Sequence, residues 1–178
     1  LVGSEMCIRD SFFDKLFGGK AKDENTSKFT NQSKTILTPL QGKVLAQADI
    51  PDETFAQGIL GPGCGIEPTG DTVYAPFDGT VTQIATTLHA VGMTSSEGTE
   101  LLIHVGMDTV DMKGQGFTAL VKEGQKVTAG TPLLKVDLDA IRAAGHPTAT
   151  AIIVTDGADD VKMLAEGDVV PGTPLFKV

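Results

Sequence analysis

The sequence contains no tryptophan and a single tyrosine, so its core has to rest on Val, Ile, Leu and a few of its eight Phe residues. Cysteine is almost as scarce. Cys7 and Cys64 are the only two, they lie far apart, and they form no Cys-x-x-Cys pair. That excludes a disulfide framework and fits a reducing compartment, with the cytoplasm as the expected location. Basic residues are outnumbered, with 14 Lys and Arg against 23 Asp and Glu and a net charge of -9. Such a surface does not neutralise phosphates, so nucleic-acid binding is not expected. A basic protein partner would be steered toward it. No apolar run approaches the roughly 18 residues needed to span a bilayer. The apolar stretch near Phe12–Phe17 is short and broken by Asp14 and Lys15, so it does not read as a signal peptide.

What is present describes an ordinary globular protein. The 178 residues, 40% hydrophobic and 21% charged, are enough for one domain with a core. Gly 21 and Pro 9, with recurrent Thr-Pro, Gly-Pro and Asp-Gly pairs, predict many turns and short strands. Residues 1–11, LVGSEMCIRDS, are unlike the rest, resemble a translated sequencing adapter, and are read as non-native. Residues 12–35 read as a flexible tail. Its Phe12, Phe13, Leu16 and Phe17 share a helical face that suits either a weak membrane-surface contact or a frayed start. Its remainder is polar and nearly core-free.

The compact domain is expected over 36–178. Strands are predicted at Val44–Ala46, Val73–Ala75, Thr80–Thr86, Ala90–Thr94, Glu100–Val105, Thr131–Val136, Ala151–Val154 and Thr173–Val178. One helix is predicted at Leu138–Ala144, with a further helical turn at Asp159–Leu164. The chain also echoes itself. Glu123–Val136 returns as Glu166–Val178 with one residue deleted, and Pro39–Val44 returns more faintly as Pro76–Val81. The echoes are too few for a solenoid. They fit an all-β fold, an antiparallel β-sandwich or barrel-like arrangement with short helical turns, in which similar turns recur at different corners.

Three histidines carry the available chemistry: His89, His104 and His146. His104 sits inside the strand-like run Leu101–Val105, either as a satisfied structural residue or as a functional one. The turn Thr94–Thr99 predicts a hairpin. Two of its simplest registers place His89 opposite His104 or diagonal to it on the same face, about 5–8 Å apart at Cβ. A one-residue slip would put them on opposite faces. Two neighbouring imidazoles permit phosphoryl transfer, metal binding or general-base chemistry. For the first, His104 would be the nucleophile, and His89 with the Thr87 hydroxyl would hold the phosphate. A metal site would want a third ligand, and His104 and Asp108 form only an HxxxD string. His146 reads as a surface residue at a helix end.

The run Leu101–Phe117, LLIHVGMDTVDMKGQGF, closely resembles the phosphorylation-site signature of glucose-type enzyme IIA of the bacterial phosphoenolpyruvate-dependent sugar phosphotransferase system. Ala75–Val81, Thr87–Ala90, Pro51–Ala56 and Gly61–Pro68 match that family too. The resemblance covers about residues 36–178. It implies an antiparallel β-sandwich that acts as a phosphotransferase component through a phosphohistidine. His104 would take phosphate from the histidine phosphocarrier protein HPr and pass it to a cysteine of a sugar-specific IIB domain. His89 would contact the phosphate, Thr87 would hydrogen-bond in the site, and Asp108 would be the acidic residue of the signature. Phe55 and Val110 would belong to an apolar collar that docks both partners. Other transporters or enzymes would be regulatory targets. No cofactor is required, and zinc at His89 and His104 would be adventitious or regulatory.

This chain departs from the family pattern at Ala85 and Leu102, where phenylalanine is frequent, and at Leu88, where asparagine often precedes the second histidine. Two other classes compete. A zinc peptidase of the LytM type shares β-rich architecture and the HxxxD string but wants an HxH. A biotinyl or lipoyl carrier shares the Glu-Gly turns, with Lys113 after Met112 as its only candidate attachment site.

Overall fold

The computed structural model describes residues 29–178. The segment 1–11, its Cys7, and the apolar face at Phe12–Phe17 lie outside the described residues. Short apolar stretches punctuated by turns become fourteen strands: β1 (Thr35–Leu37), β2 (Gly42–Leu45), β3 (Gly63–Pro68), β4 (Thr72–Tyr74), β5 (Gly79–Ile84), β6 (Ala90–Ser95), β7 (Glu100–His104), β8 (Phe117–Ala119), β9 (Lys126–Val127), β10 (Pro132–Val136), β11 (Thr150–Asp156), β12 (Lys162–Met163), β13 (Asp168–Val169) and β14 (Pro174–Lys177). Among the described residues two short helices, α1 (Glu53–Ala56) and α2 (Leu138–Ala143), begin where Asp52 and Asp137 accept hydrogen bonds from the backbone N–H groups of Phe55 and Ala140.

All described pairings are antiparallel. One large sheet runs β13-β2-β3-β11-β7-β6-β5-β9, and two small sheets run β4-β10-β8 and β1-β14-β12. The main core contains Ile36 of β1, Val73 of β4, Leu133 and Leu134 of β10 and Phe176 of β14 from the small sheets. From the large sheet it takes Val81, Val91, Ile103 and Ile152. This is the sandwich expected from the sequence.

The sequence echoes are structural. Ala75 exchanges backbone hydrogen bonds with Thr131 and Gly130 (both 2.8 Å), and Thr38 does the same with Thr173 and Gly172 (2.7 and 3.0 Å). Val81 N–H donates to Gln125 (2.9 Å) as Val44 N–H donates to Gly167 (2.8 Å). The pairs β5–β9 and β2–β13 therefore form opposite edges of the large sheet, related by an approximate twofold axis between its central strands β7 and β11. Equivalent turn sequences close equivalent corners.

One loop that differs between the two halves bears on the site. Between β2 and β3 the chain inserts a 3₁₀ turn (Gln47–Asp49) and α1, whereas β5 and β6 are joined by residues 85–89 alone. The longer segment lies on the face of the large sheet away from the main core. There Ile50, Phe55, Met107, Ala151 and Ile153 form a second apolar cluster. Gly65 permits this approach, because a Cβ there would stand 2.9 Å from Ile50 Cγ1 and 3.3 Å from Leu45 Cβ.

Three expectations change. Asp159–Leu164 contains no helical turn; Lys162 and Met163 form β12 against β14. The chain is packed from before residue 36: Thr35 opens β1, Ser33 and the Lys34 N–H donate to the Glu97 carboxylate (2.6 and 3.0 Å), and the Phe29 ring lies 5.8 Å from that of Tyr74. The β6–β7 hairpin takes neither favoured register. Ala90 faces His104 and Val91 faces Ile103, because Ser95 and Thr99 close a three-residue loop with Gly98 at φ +90°.

Candidate functional site

His104 ends β7, next to the approximate twofold axis. Strand alternation sends Leu101 and Ile103 into the main core and leaves Leu102 and His104 on the opposite face. There the His104 ring meets the second cluster, with its centroid 5.0 Å from that of Phe55. His104 is half-buried, and Phe55 is buried.

The register that places Ala90 opposite His104 would send a strand residue at 89 to the wrong face. His89 nevertheless reaches His104, with ring centroids 4.7 Å apart in an edge-on arrangement at 77°. It does so because it precedes β6, in a turn where Leu88 adopts φ +60°. The sequence expectation of neighbouring histidines is correct, but its registers are not the reason.

Each imidazole has a partner at Nδ1. That of His104 lies 2.9 Å from the Gly106 carbonyl oxygen. A carbonyl only accepts, so His104 Nδ1 carries the proton and its Nε2 keeps a free lone pair. Gly106 reaches this position through a left-handed turn at φ +70°. The Thr87 hydroxyl lies 2.6 Å from His89 Nδ1. Burial holds both rings below the ordinary imidazole value of 6.5. For His104 the neighbouring His89 adds to that effect, while the Gly106 hydrogen bond and the Asp52 charge oppose it. The result is two neutral rings at pH 7, one with an unpaired nucleophilic nitrogen.

The other sequence-predicted residues are placed differently. Asp108 is exposed at φ +56° ahead of the 3₁₀ turn Thr109–Met112, and among the described residues its carboxylate joins no hydrogen bond or ion pair. Val110 stands 52% exposed on that turn. Among the described residues no group of three His, Cys, Asp or Glu side chains comes together as a metal site. Lys113 follows the same 3₁₀ turn and is not the tip of a strand hairpin, as a swinging-arm domain would need. His146 follows α2 at its C-terminal end, as expected.

Four residues were not singled out from the sequence. Gly106 fixes the tautomer of His104. Asp52 caps α1, which holds Phe55 against His104; the Asp-x-x-Phe spacing was its available signal. Ile59 and Leu60, 67% and 40% exposed just past α1, extend the apolar surface of that segment. A cleft of about 660 Å³ lies by Asp71, Lys135 and Arg142 and contains neither His89 nor His104. The histidine pair lies instead on the sheet face that bears the second apolar cluster, with His104 half-buried and His89 only 9% exposed.

Comparisons with known proteins identify the family of the chain. A family model described as phosphoenolpyruvate-dependent sugar phosphotransferase system, EIIA 1, matches residues 34–160. The glucose-specific EIIA component of Halalkalibacterium halodurans is 45% identical over 81% of this chain and 83% of its own length. The glucose-specific EIICBA component of Streptococcus pneumoniae is 40% identical over 87% of this chain, which spans only 22% of that longer protein. Among solved structures, glucose permease IIA from Mycoplasma capricolum matches with a TM-score of 0.76 at 31% identity, over 83% of this chain and 97% of its own.

Proposed function

Since the chain belongs to the EIIA 1 family of the phosphoenolpyruvate-dependent sugar phosphotransferase system, we propose that it carries a phosphoryl group on His104 Nε2 between two protein partners during sugar uptake. The observation that carries this reading is the pair of neutral imidazoles in edge contact, with His104 Nδ1 occupied by Gly106 and Nε2 left as nucleophile.

The donor is HPr, phosphorylated on its own histidine. His104 Nε2 attacks phosphorus, the new N–P bond forms, and the donor's N–P bond breaks with its electron pair returning to the donor imidazole. In the second step a thiolate of a IIB domain attacks the same phosphorus and breaks the His104 N–P bond. Related chains that carry B and C portions beside an A portion support a IIB acceptor. Little covalent work falls to the protein, so catalysis is positioning and charge stabilisation. With the Thr87 hydroxyl donating to His89 Nδ1, His89 presents Nε2–H to a phosphate oxygen. Val110 supplies exposed apolar surface for the dock, whereas Phe55 is buried and backs the His104 ring instead of meeting a partner as the sequence suggested. Asp108 lies exposed where a basic partner residue can meet it.

This transfer takes place in the cytoplasm. Among the described residues no helix is long and apolar enough to cross a membrane. Phosphorylation adds about 1.5–2 negative charges beside an apolar dock, which opposes burial of that surface and would regulate binding of transporters or enzymes. The reaction needs no cofactor. Two imidazoles could hold zinc adventitiously or as a regulatory ion only with ligands from elsewhere.

The test is transfer from isotopically labelled phospho-HPr. The wild-type chain should acquire acid-labile label, and His104→Ala should acquire none. His89→Ala should accept phosphate but pass it to IIB about 10²-fold more slowly. Full labelling of His104→Ala would overturn the assignment.

A further inference from the structure

The approximate twofold axis supplies an internal comparison for the turn that carries His89. Val105 N–H donates to the His89 carbonyl at 2.8 Å, and the equivalent Val154 N–H donates to the Pro62 carbonyl at 2.8 Å. His89 and Pro62 thus occupy matching places at the starts of β6 and β3. The residue before each has positive φ: Gly61 at +132° and Leu88 at +60°. Glycine enters that region freely, but a side chain there is strained. This chain holds a leucine in it, one residue from a proposed phosphate contact.

The strain has a visible consequence. Leu88 N–H closes a turn onto the Ala85 carbonyl (2.8 Å), and Ala85 N–H pairs with the Ala90 carbonyl (2.9 Å). Inside that closed turn the pleat alternation stops. Leu88 packs its side chain against the main core, and His89 projects to the opposite face, where its ring meets His104. Burial of an apolar side chain offsets a local conformation that leucine would not otherwise hold.

We infer that Leu88 is a positioning residue: its left-handed turn swings His89 out of strand alternation and onto the His104 ring. Packing of the half-buried leucine against the core keeps the turn closed. The decisive property is the backbone conformation at 88, and the size of the side chain is secondary.

Two substitutions separate these properties. Leu88→Asn shrinks the apolar anchor but tolerates positive φ, whereas Leu88→Ile keeps the apolar volume but is β-branched and resists it. The readouts are NOEs between the His89 and His104 ring protons and the two phosphotransfer steps measured separately. Leu88→Asn should retain the NOEs and pass phosphate within about twofold of wild type, while Leu88→Ile should lose the NOEs and pass it about 10²-fold more slowly. Acceptance from phospho-HPr should change little in either. The reverse pattern, or unchanged NOEs in both variants, would overturn the inference. If Leu88→Ile does not fold, loss of the NOEs in a folded Leu88→Asn overturns it alone. The kinetic arm rests on the phosphocarrier reading. The NOE arm does not, so failure of the carrier assignment and failure of the positioning role are told apart.

Discussion

His104 Nδ1 and the Gly106 carbonyl oxygen lie 2.9 Å apart, which commits one ring nitrogen to the backbone two residues downstream. Phosphate is therefore expected on Nε2. Nitrogen-15 and phosphorus-31 NMR of the phosphorylated chain distinguish the two isomers, and attachment at Nδ1 would contradict this arrangement. Gly106→Ala should disturb it at the source. Its Cβ would lie 2.5 Å from Thr109 Cγ2 and 3.0 Å from the Pro147 carbonyl oxygen, at a backbone φ of +70°. A loss of about 1–3 kcal/mol in urea unfolding is expected, from strain at a left-handed position.

Burial lowers the pKa of both site histidines, and this has a signed effect on stability. Above the ordinary value of 6.5, folded and unfolded chains both hold neutral rings, so this contribution is flat. As pH falls below 6.5 the unfolded chain binds protons first, and the folded state loses stability. The loss levels off once the folded rings also titrate. Urea midpoints measured against pH should show this fall, and the double variant His89→Gln with His104→Gln should flatten it. Asp71 and Glu97, whose hydrogen bonds hold them below 3.8 and 4.5, act only at lower pH. A fall in stability near pH 6 that survives in the double variant would refute the assignment.

The parts of this molecule legible in its sequence are those specified locally. Leu101–Val105 alternates and is β-rich, so β7 and its histidine stood out. Leu138 follows the capping residue Asp137, so α2 was found within one residue of its end. The echoed Glu-Gly and Thr-Pro-Leu turns announced corners that the structure uses twice. What was missed is specified by distant partners. Strand β3, Gly-Cys-Gly-Ile-Glu-Pro, reads as loop because its glycines carry no strand signal, yet Gly63 pairs with Ile153 and Gly65 makes room for Ile50. Lys162 and Met163 become a strand only because Phe176 and Lys177 lie beside them. The hairpin register escaped because the Ser95 hydroxyl accepts from the Glu97 and Thr99 N–H groups, a contact that favours a loop one residue longer than the simplest turn.

Cys64 gives a separate check on the packing of β3. It is 1% exposed, and burial pushes its thiol up to about 12. A thiol with that pKa and no solvent access reacts very slowly, because the thiolate is the attacking species. In a Cys7→Ser background, Cys64 should resist a water-soluble disulfide reagent until urea unfolds the chain. Rapid modification of the native protein at pH 8 would show that β3 opens locally.

Asp52 connects the stability of α1 to the electrostatics of His104, and two substitutions divide those roles. Its carboxylate accepts from Phe55 N–H at 3.2 Å, so it caps the helix that holds the Phe55 ring against His104. Its negative charge also favours the protonated form of His104. Asparagine keeps a capping oxygen without the charge, so Asp52→Asn should leave stability nearly unchanged and lower the His104 pKa further. Alanine removes both, and Asp52→Ala should lose about 1 kcal/mol on unfolding. With α1 loosened, water gains access to His104, which opposes the pKa drop caused by losing the charge. NMR titration of the His104 ring, read beside urea unfolding, separates the two variants. If Asp52→Asn raises the His104 pKa, the carboxylate does not act on that ring through its charge.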